Sequence, residues 1–134
     1  MPSVTVSLPI DDRRTAHDFY VAAFGLEAVG EIASDGLPEP LRFALGGGTT
    51  MMLIPRTGFG WVATPNAVAE RGTSECLLSL DAPDDAEVGA MVERARAAGA
   101  DIVVEPGRQP WGHYAATLAD PDGHLWMISA GPQP

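Results

Sequence analysis

Few side chains in this sequence could ligate a metal or attack a substrate, and they are scattered. Glu75 is a carboxylate in a mostly apolar stretch, and His113 and His124 flank the last predicted hairpin at a spacing that does not favour metal binding. The single cysteine, Cys76, excludes an intramolecular disulfide and a cysteine-rich zinc cluster. It precedes an apolar pair, which favours a buried strand residue over a nucleophile. The sequence therefore predicts no catalytic group, no metal ligand set and no cofactor.

Aromatic residues offer a second kind of chemistry, the binding of planar or cationic molecules. Phe59 and Trp61 lie in a stretch rich in glycine, threonine and proline, and Trp111 opens a predicted strand. Aromatic faces stack on flat ligands and attract cations, at roughly 0.5 to 2 kcal/mol each. The same residues could instead plug their own domain or a dimer seam, and both interpretations stay open. Trp126 shares a strand face with Ile128 and is predicted to pack under a helix.

Composition and charge narrow the class of protein. The 134 residues suit one domain, and 46% of them are hydrophobic. Eighteen acidic residues against eight Arg, with no Lys, give a net charge of −10 and exclude nucleic-acid binding. This charge either favours a cationic ligand or serves only solubility. The absence of Lys with abundant Ala, Gly, Pro and Arg is typical of a GC-rich bacterium.

Targeting signals are not evident in the sequence. No stretch approaches the roughly 20 apolar residues that span a bilayer. Met1–Thr5 has no basic region followed by a long apolar run, so no secretory signal is predicted. We expect a cytoplasmic protein without a membrane partner.

The periodicity of the first half predicts a strand, a helix and three strands. Val4, Val6 and Leu8 alternate with polar residues, as in a half-buried strand. A helix follows from Asp11 or Asp12 to Gly25. The next strands are predicted at Leu26–Ile32, Leu41–Leu45 and Thr49–Ile54.

The second half repeats this plan after a long connection over residues 56–73. A strand (Leu77–Leu80) precedes a helix that begins after Asp84 or Asp85 and ends at Gly99, and three more strands follow at Ile102–Val104, Tyr114–Leu118 and Leu125–Ser129. The two halves match with a shift of roughly 70 to 75 residues, as in an internal duplication. We therefore predict one domain over residues 1–134, with modules at 1–55 and 74–131.

Strand alternation assigns side chains to faces. Thr5 is predicted to point away from the first helix, and Glu75 to point away from the second. A carboxylate in an apolar cavity needs solvent, an Arg partner or a bound cation. Pairing within the protein and ligand recognition both remain open for Glu75.

Several short strings in order resemble one superfamily. They are Leu8-Pro9-Ile10-Asp11, Phe19-Tyr20, Phe24-Gly25-Leu26, Asp120-Pro121-Asp122-Gly123 and Trp126. The chain resembles the vicinal-oxygen-chelate superfamily, which includes glyoxalases, extradiol dioxygenases and bleomycin-resistance proteins. The resemblance implies an α+β fold of two tandem βαβββ modules, whose mixed, curved sheets form an open cleft with helices on the outer face.

The resemblance also implies where a ligand would bind. The strand positions that hold metal in the superfamily's enzymes are Thr5, Met52, Glu75 and Met127 here. Thr is a poor metal ligand and Met a soft one, so binding is favoured over metal-assisted chemistry. The string Gln109-Pro110-Trp111-Gly112 is similar to one beside the drug groove of bleomycin-resistance proteins, and His113 and Tyr114 follow it.

These observations predict a metal-independent binding protein. It would be a homodimer that sequesters a bulky planar or cationic small molecule, such as an antibiotic. The predicted ligand-binding residues are Trp111, Trp61, Phe59, Tyr114, Glu75, Met52, Met127, Thr5 and His113. The alternatives are a metal-dependent glyoxalase or dioxygenase-type enzyme with a non-standard site, and a catalytically silent subunit or ligand sensor.

Overall fold

Two strand–helix–strand–strand–strand units follow one another along the chain, as predicted. The computed structural model describes residues 2–131, so residues 1 and 132–134 of the predicted domain lie outside the described part. The first unit comprises β1 (Val4–Ile10), α1 (Arg13–Phe24), β2 (Ala28–Val29), β3 (Leu41–Gly46) and β4 (Thr49–Pro55). After a short helix, α2 (Arg56–Ala63), the second unit comprises β5 (Leu77–Ala82), α3 (Asp85–Ala97), β6 (Asp101–Arg108), β7 (Tyr114–Ala119) and β8 (Leu125–Ala130).

Each unit forms its own mixed four-stranded sheet, which confirms the predicted α+β class. The strand orders are β1-β4-β3-β2 in sheet 1 and β5-β8-β7-β6 in sheet 2. β1 lies parallel to β4 and β5 lies parallel to β8, whereas the other neighbours are antiparallel. The helix after the first strand of each unit begins the long crossover that a parallel pair requires.

Side-chain and glycine caps fix the ends of the two long helices. The Asp12 carboxylate accepts a hydrogen bond from Thr15 N at 2.8 Å at the start of α1, and Gly25 ends that helix with φ 64°. The Asp84 carboxylate accepts one from Glu87 N, also at 2.8 Å, at the start of α3. Both caps agree with the helix starts expected from the sequence.

One hydrophobic core joins the two units. The buried stripes of α1 and α3 and the helix-facing residues of both sheets belong to the same cluster. The Tyr20 ring on α1 lies 5.8 Å from Phe43 in sheet 1 and 5.8 Å from Trp126 in sheet 2, measured between centroids. Trp126 is 1% exposed, so its predicted burial is confirmed, against α1 of the first unit.

Four local predictions differ from the structure, one of them being the strand predicted at Ile102–Val104, which is the longer β6. The strand predicted at Leu26–Ile32 is reduced to β2, because only two residues pair with β3 before Gly30 turns the chain at φ 117°. The connection predicted over residues 56–73 contains the helix α2. Cys76 is exposed, because it precedes β5 and has no neighbouring strand to cover it. No helix within residues 2–131 is long and apolar enough to cross a membrane.

Candidate functional site

Each sheet has a face opposite its helices, here called the open face. In sheet 1 it comprises the alternate residues Thr5, Ser7, Arg42, Ala44, Thr50, Met52 and Ile54, and in sheet 2 it comprises Leu77, Ser79, Asp81, Thr117, Leu125, Met127 and Ser129. Their neighbours along the strands, such as Met51 and Leu53, are buried under the helices. These side chains are exposed or half-buried and are therefore accessible to a ligand or a partner, whereas Ala115 and Ala119 on the same face of β7 are buried.

Thr5, Met52 and Met127 occupy the open faces that strand alternation and the resemblance assign to them. Met52 lies between Ser7 on β1 and Arg42 on β3. Met127 lies between Ser79 on β5 and Thr117 on β7. Both methionines are half-buried, so their flexible thioethers can adapt to a bound molecule.

Glu75 does not lie on a strand, since β5 begins two residues later. Its exposed side chain instead lines a cavity of about 320 Å³ together with Phe59. The cavity is enclosed by the end of β1, by α2 and the segment that follows it, and by the β7–β8 turn. Ser7 of the sheet 1 open face also lines this cavity, which makes the two surfaces continuous.

Two arginines connect the part of the cavity wall formed by α2 and the segment after it to the end of β1. Arg56 Nε donates to Asp11 Oδ1 at 2.8 Å, and Arg71 Nη2 approaches Asp11 Oδ2 at 3.3 Å. The hydrogen bond from Arg56 is the main reason why the pKa of Asp11 lies below its usual value. The Asp11 backbone N–H donates to Asp122 Oδ1 at 2.8 Å, which connects the same point to the β7–β8 turn.

The Asp120-Pro121-Asp122-Gly123 turn connects the last hairpin to α1 through buried hydrogen bonds. Asp120, 3% exposed, accepts hydrogen bonds from Asp122 N at 2.9 Å, from His124 N at 2.8 Å and from the Tyr20 hydroxyl. Trp126 Nε1 in turn donates to the Tyr20 hydroxyl at 3.0 Å. Burial, and then the Asp120 carboxylate, raise the pKa of Tyr20 well above its usual value. These contacts bind the last hairpin to α1.

His124 also has a structural contact. Its Nε2 atom lies 2.6 Å from the Pro9 carbonyl oxygen, so it donates a hydrogen bond to the end of β1. This partner fixes the orientation of the ring against the end of β1.

Trp111 and His113 lie on the β6–β7 turn, so Trp111 does not open a strand as predicted, and Tyr114 begins β7; none of the three lines the cavity. Gln109 Nε2 donates to the carbonyl oxygens of Gly107 at 3.0 Å and Ala115 at 3.2 Å, which holds the turn. Trp111 remains 58% exposed. The Arg108 guanidinium lies 5.6 Å from the centre of the Tyr114 ring. The structure therefore leaves an accessible indole on a fixed turn.

The two aromatic residues of α2 differ in their relation to the cavity. Phe59 lines it, whereas Trp61 is 79% exposed and is not part of its lining. The predicted site residues thus lie apart from one another: on the two open faces, in the cavity, on α2, and at the β6–β7 turn with the start of β7.

The superfamily resemblance implies a divalent metal, and the side chains do not fit one. No three His, Cys, Asp or Glu residues within residues 2–131 converge as a metal site would require. At the corresponding positions, Thr5, Met52 and Met127 offer a hydroxyl and two thioethers, and Glu75 lies off the strand. Hard divalent cations need several oxygen or nitrogen ligands at one point.

A family model described as the Glyoxalase/Bleomycin resistance protein/Dioxygenase superfamily matches residues 3–128. The chain belongs to this superfamily. An uncharacterized protein of Mycobacterium bovis is 32% identical over 130 residues, which cover 95% of this chain and 82% of that protein. An uncharacterized protein of Mycobacterium tuberculosis is also 32% identical, over 95% of this chain and 73% of its own length.

Solved structures show the same superfamily fold. A hypothetical protein from S. aureus matches with a TM-score of 0.81 and 24% identity, covering 98% of this chain and 93% of that one. A glyoxalase-related enzyme from Fulvimarina pelagi matches with a TM-score of 0.83 and 24% identity, covering 98% and 88%. At this identity the likeness concerns the fold alone.

Sequence reasoning missed the arginines that shape these surfaces. Arg42 lies on the open face beside Met52, and Arg56 and Arg71 hold the cavity wall. For Arg42 the signal was available, because it alternates with the apolar residues Leu41 and Phe43. For Arg56 and Arg71, no local sequence pattern predicts that both side chains contact Asp11.

Proposed function

We propose that this superfamily member is a metal-independent binding protein that sequesters a bulky planar or cationic small molecule, such as an antibiotic. One observation carries the proposal: the positions that hold metal in the superfamily's enzymes offer a hydroxyl and two thioethers. Such a set suits an adaptable apolar guest better than a hard cation. In this respect the protein resembles bleomycin-resistance proteins.

Exposed aromatic side chains support binding of a flat molecule. Trp61 is 79% exposed and Trp111 is 58% exposed, and neither has its indole covered by the core. Stacking on such a ring contributes roughly 0.5 to 2 kcal/mol. Phe59 adds an aromatic edge to the cavity itself.

Charge supports a cationic group on the ligand. Glu70 and Glu75 line the cavity, and within residues 2–131 neither forms an ion pair. The two arginines of the same wall, Arg56 and Arg71, are both paired with Asp11, and Arg71 also approaches Asp122 at 4.0 Å. Free carboxylates in a chain of net charge −10 attract cations.

We further propose that the protein acts as a homodimer. The open faces carry apolar side chains that the chain itself leaves accessible, including Leu77 at 51% exposure. A second copy that faces them would complete the cleft wall in the way the superfamily resemblance implies. The competing hypothesis of a metal-dependent enzyme needs donors that these faces lack.

The first prediction tests this function through metal content and ligand binding together. Protein purified without a chelator should contain no stoichiometric Zn, Ni, Mn or Fe by mass spectrometry. Bleomycin or an anthraquinone drug should raise the melting temperature, and EDTA should leave that shift unchanged. Stabilisation should follow RT ln(1 + [L]/Kd). Stoichiometric metal whose removal abolishes binding would contradict the proposal.

Trp111→Ala should lower the affinity for the same ligand about fivefold, because roughly 1 kcal/mol of stacking free energy is lost. The matched control is Val21→Ala, which truncates another exposed apolar side chain, 43% exposed, on α1 and so away from the open faces. Equal affinities for all three proteins in titration calorimetry would remove Trp111 from the site.

A further inference from the structure

Arg42 occupies the middle of the sheet 1 open face. Strand register places it directly opposite Met52 on β4 and Val29 on β2, and Met52 is opposite Ser7 on β1. These four residues form a row across the sheet. Since neighbouring strands lie about 4.8 Å apart, the backbone of Arg42 lies two strands, about 10 Å, from the cavity edge at Ser7.

Arg42 is the arginine of this chain without a protein acceptor in the described residues. Six of the eight arginines form ion pairs with carboxylates, namely Arg13, Arg56, Arg71, Arg94, Arg96 and Arg108. Arg14 donates to the Asp35 carbonyl oxygen at 2.5 Å. Of the carboxylates of the neighbouring loop, Asp35 and Glu39 are paired with Arg13, and Glu31, next to Gly30, forms no ion pair with Arg42 in the described residues.

The unpaired guanidinium is also partly removed from solvent. The Arg42 side chain is half-buried, and its Nε atom is shielded from solvent with no hydrogen-bond partner among the described residues. An arginine stays charged at all ordinary pH values, so it cannot relieve this cost by losing its proton. Buried charges in proteins are normally paired.

The backbone beneath Arg42 leaves room for the guanidinium. A Cβ atom placed on Gly30 would lie 3.2 Å from Arg42 Nη2 and 3.8 Å from Pro38 Cβ. Gly30 thus supplies a flat backbone surface on which the side chain rests. The planar donor fork of an arginine matches the geometry of a carboxylate or a phosphate.

We infer that Arg42 binds an oxyanion, a carboxylate or a phosphate group, carried by the ligand of the sheet 1 open face. This inference deepens the proposed function and rests on it for the remainder of the ligand. It narrows the ligand to a bulky molecule with an acidic group. Where the cavity carboxylates hold a cationic group, the ligand carries both charges.

Arg42→Gln tests the assignment, with Arg94→Gln as the matched control. Both variants remove one positive charge, and Arg94 lies on α3, paired with Glu87 at 2.9 Å. Calorimetry would compare an anthraquinone carboxylate with its uncharged hydroxymethyl analogue. The carboxylate should bind the unmodified protein about tenfold more tightly, as a charge-assisted hydrogen bond predicts. Arg42→Gln should abolish that difference and Arg94→Gln should preserve it.

A second readout does not depend on the planar probe. Benzoate and inorganic phosphate would be titrated separately while the Nε–H resonance of Arg42 is followed in nitrogen–proton spectra. At least one of the two anions should shift this resonance saturably. The anion that does so identifies the acidic group of the ligand. Failure of both planar compounds to bind, with a saturable shift at Arg42, would refute the proposed planar ligand and keep the oxyanion site.

Two results would overturn the inference. The first is that, with either anion, the resonance of Arg42 shifts no more than the resonance of Arg94. The other is a change in oligomeric state on Arg42→Gln with unaltered carboxylate binding, which would assign Arg42 to a contact between copies.

Discussion

Asp120 and Asp122 lie in one turn, and their carboxylates have different environments. Asp120 accepts three hydrogen bonds, including one from the Tyr20 hydroxyl. Asp122 accepts one from the Asp11 backbone, and Arg71 approaches it only at 4.0 Å. Burial is the largest influence on Asp122 and raises its pKa above the usual 3.8.

The stability of the protein should therefore respond to pH through Asp122. Because its pKa is higher in the folded than in the unfolded chain, its stabilising contribution is complete below 3.8 and is lost as pH rises through the folded pKa. Asp122→Asn does not titrate, so its free energy of unfolding relative to the unmodified protein should increase from pH 3 toward pH 7. Urea denaturation across this interval measures the difference.

Asp81→Asn is the control, since it removes the same charge at an exposed position on β5. Its stability relative to the unmodified protein should not show this dependence. A flat or falling difference for Asp122→Asn would mean that Arg71 and the Asp11 N–H outweigh burial.

At the residue level, the sequence predicted the sheet face of a side chain better than it predicted the residues that the side chain contacts. Thr5 lies on the open face that strand alternation, a local property of an extended chain, assigns to it, and Met52 and Met127 lie where the superfamily resemblance assigns them. Glu75 was assigned to a strand position that does not exist, since β5 begins at Leu77. The contacts of Asp11 with Arg56 and Arg71 join positions 45 and 60 residues apart, which no local pattern contains.

Helix signals in this chain are strong where a side chain caps the first turn. Asp84 caps α3 by accepting from Glu87 N at 2.8 Å. Asp84→Ala should lower the free energy of unfolding by about 1 kcal/mol, because a first-turn N–H loses its acceptor. Asp84→Asn retains an acceptor while removing the same charge, so it should stay close to the unmodified protein. Equal losses in both variants, measured by urea denaturation, would attribute the effect to charge.

The helix α2 lacks such signals, which explains why it was not predicted. It begins after Pro55 with no side-chain cap, and Gly58 and Gly60 disfavour a helix. A Cβ on Gly58 would lie 3.4 Å from Ile54 Cγ2, an ordinary van der Waals contact, so the helix adjoins the end of β4 although none of its residues is buried. Arg56 at its start is anchored to Asp11. The contacts that accompany this helix are tertiary, so the local sequence does not predict it.

At the scale of the molecule, the two units share a single core and should unfold together. Trp126 on β8 packs against Tyr20 and Phe24 of the first unit, with ring centroids 5.8 and 5.1 Å apart. Trp126→Ala should cost about 3 to 5 kcal/mol, from the cavity it leaves and the lost hydrogen bond to Tyr20. A single calorimetric transition should move to lower temperature.

The control for this change is Trp61→Ala, which truncates an indole that is 79% exposed. Its effect on stability should stay within about 0.5 kcal/mol. Two separated transitions in the Trp126→Ala variant would show that the units fold independently.

The three indoles give the chain built-in optical reporters. Trp126 is 1% exposed, whereas Trp61 and Trp111 are 79% and 58% exposed. A buried indole emits at shorter wavelength than a hydrated one and is protected from dissolved quenchers. Loss of the native packing and arrival of a stacked guest therefore alter different parts of one emission spectrum, and single-indole versions of the chain would separate the two events without any attached dye.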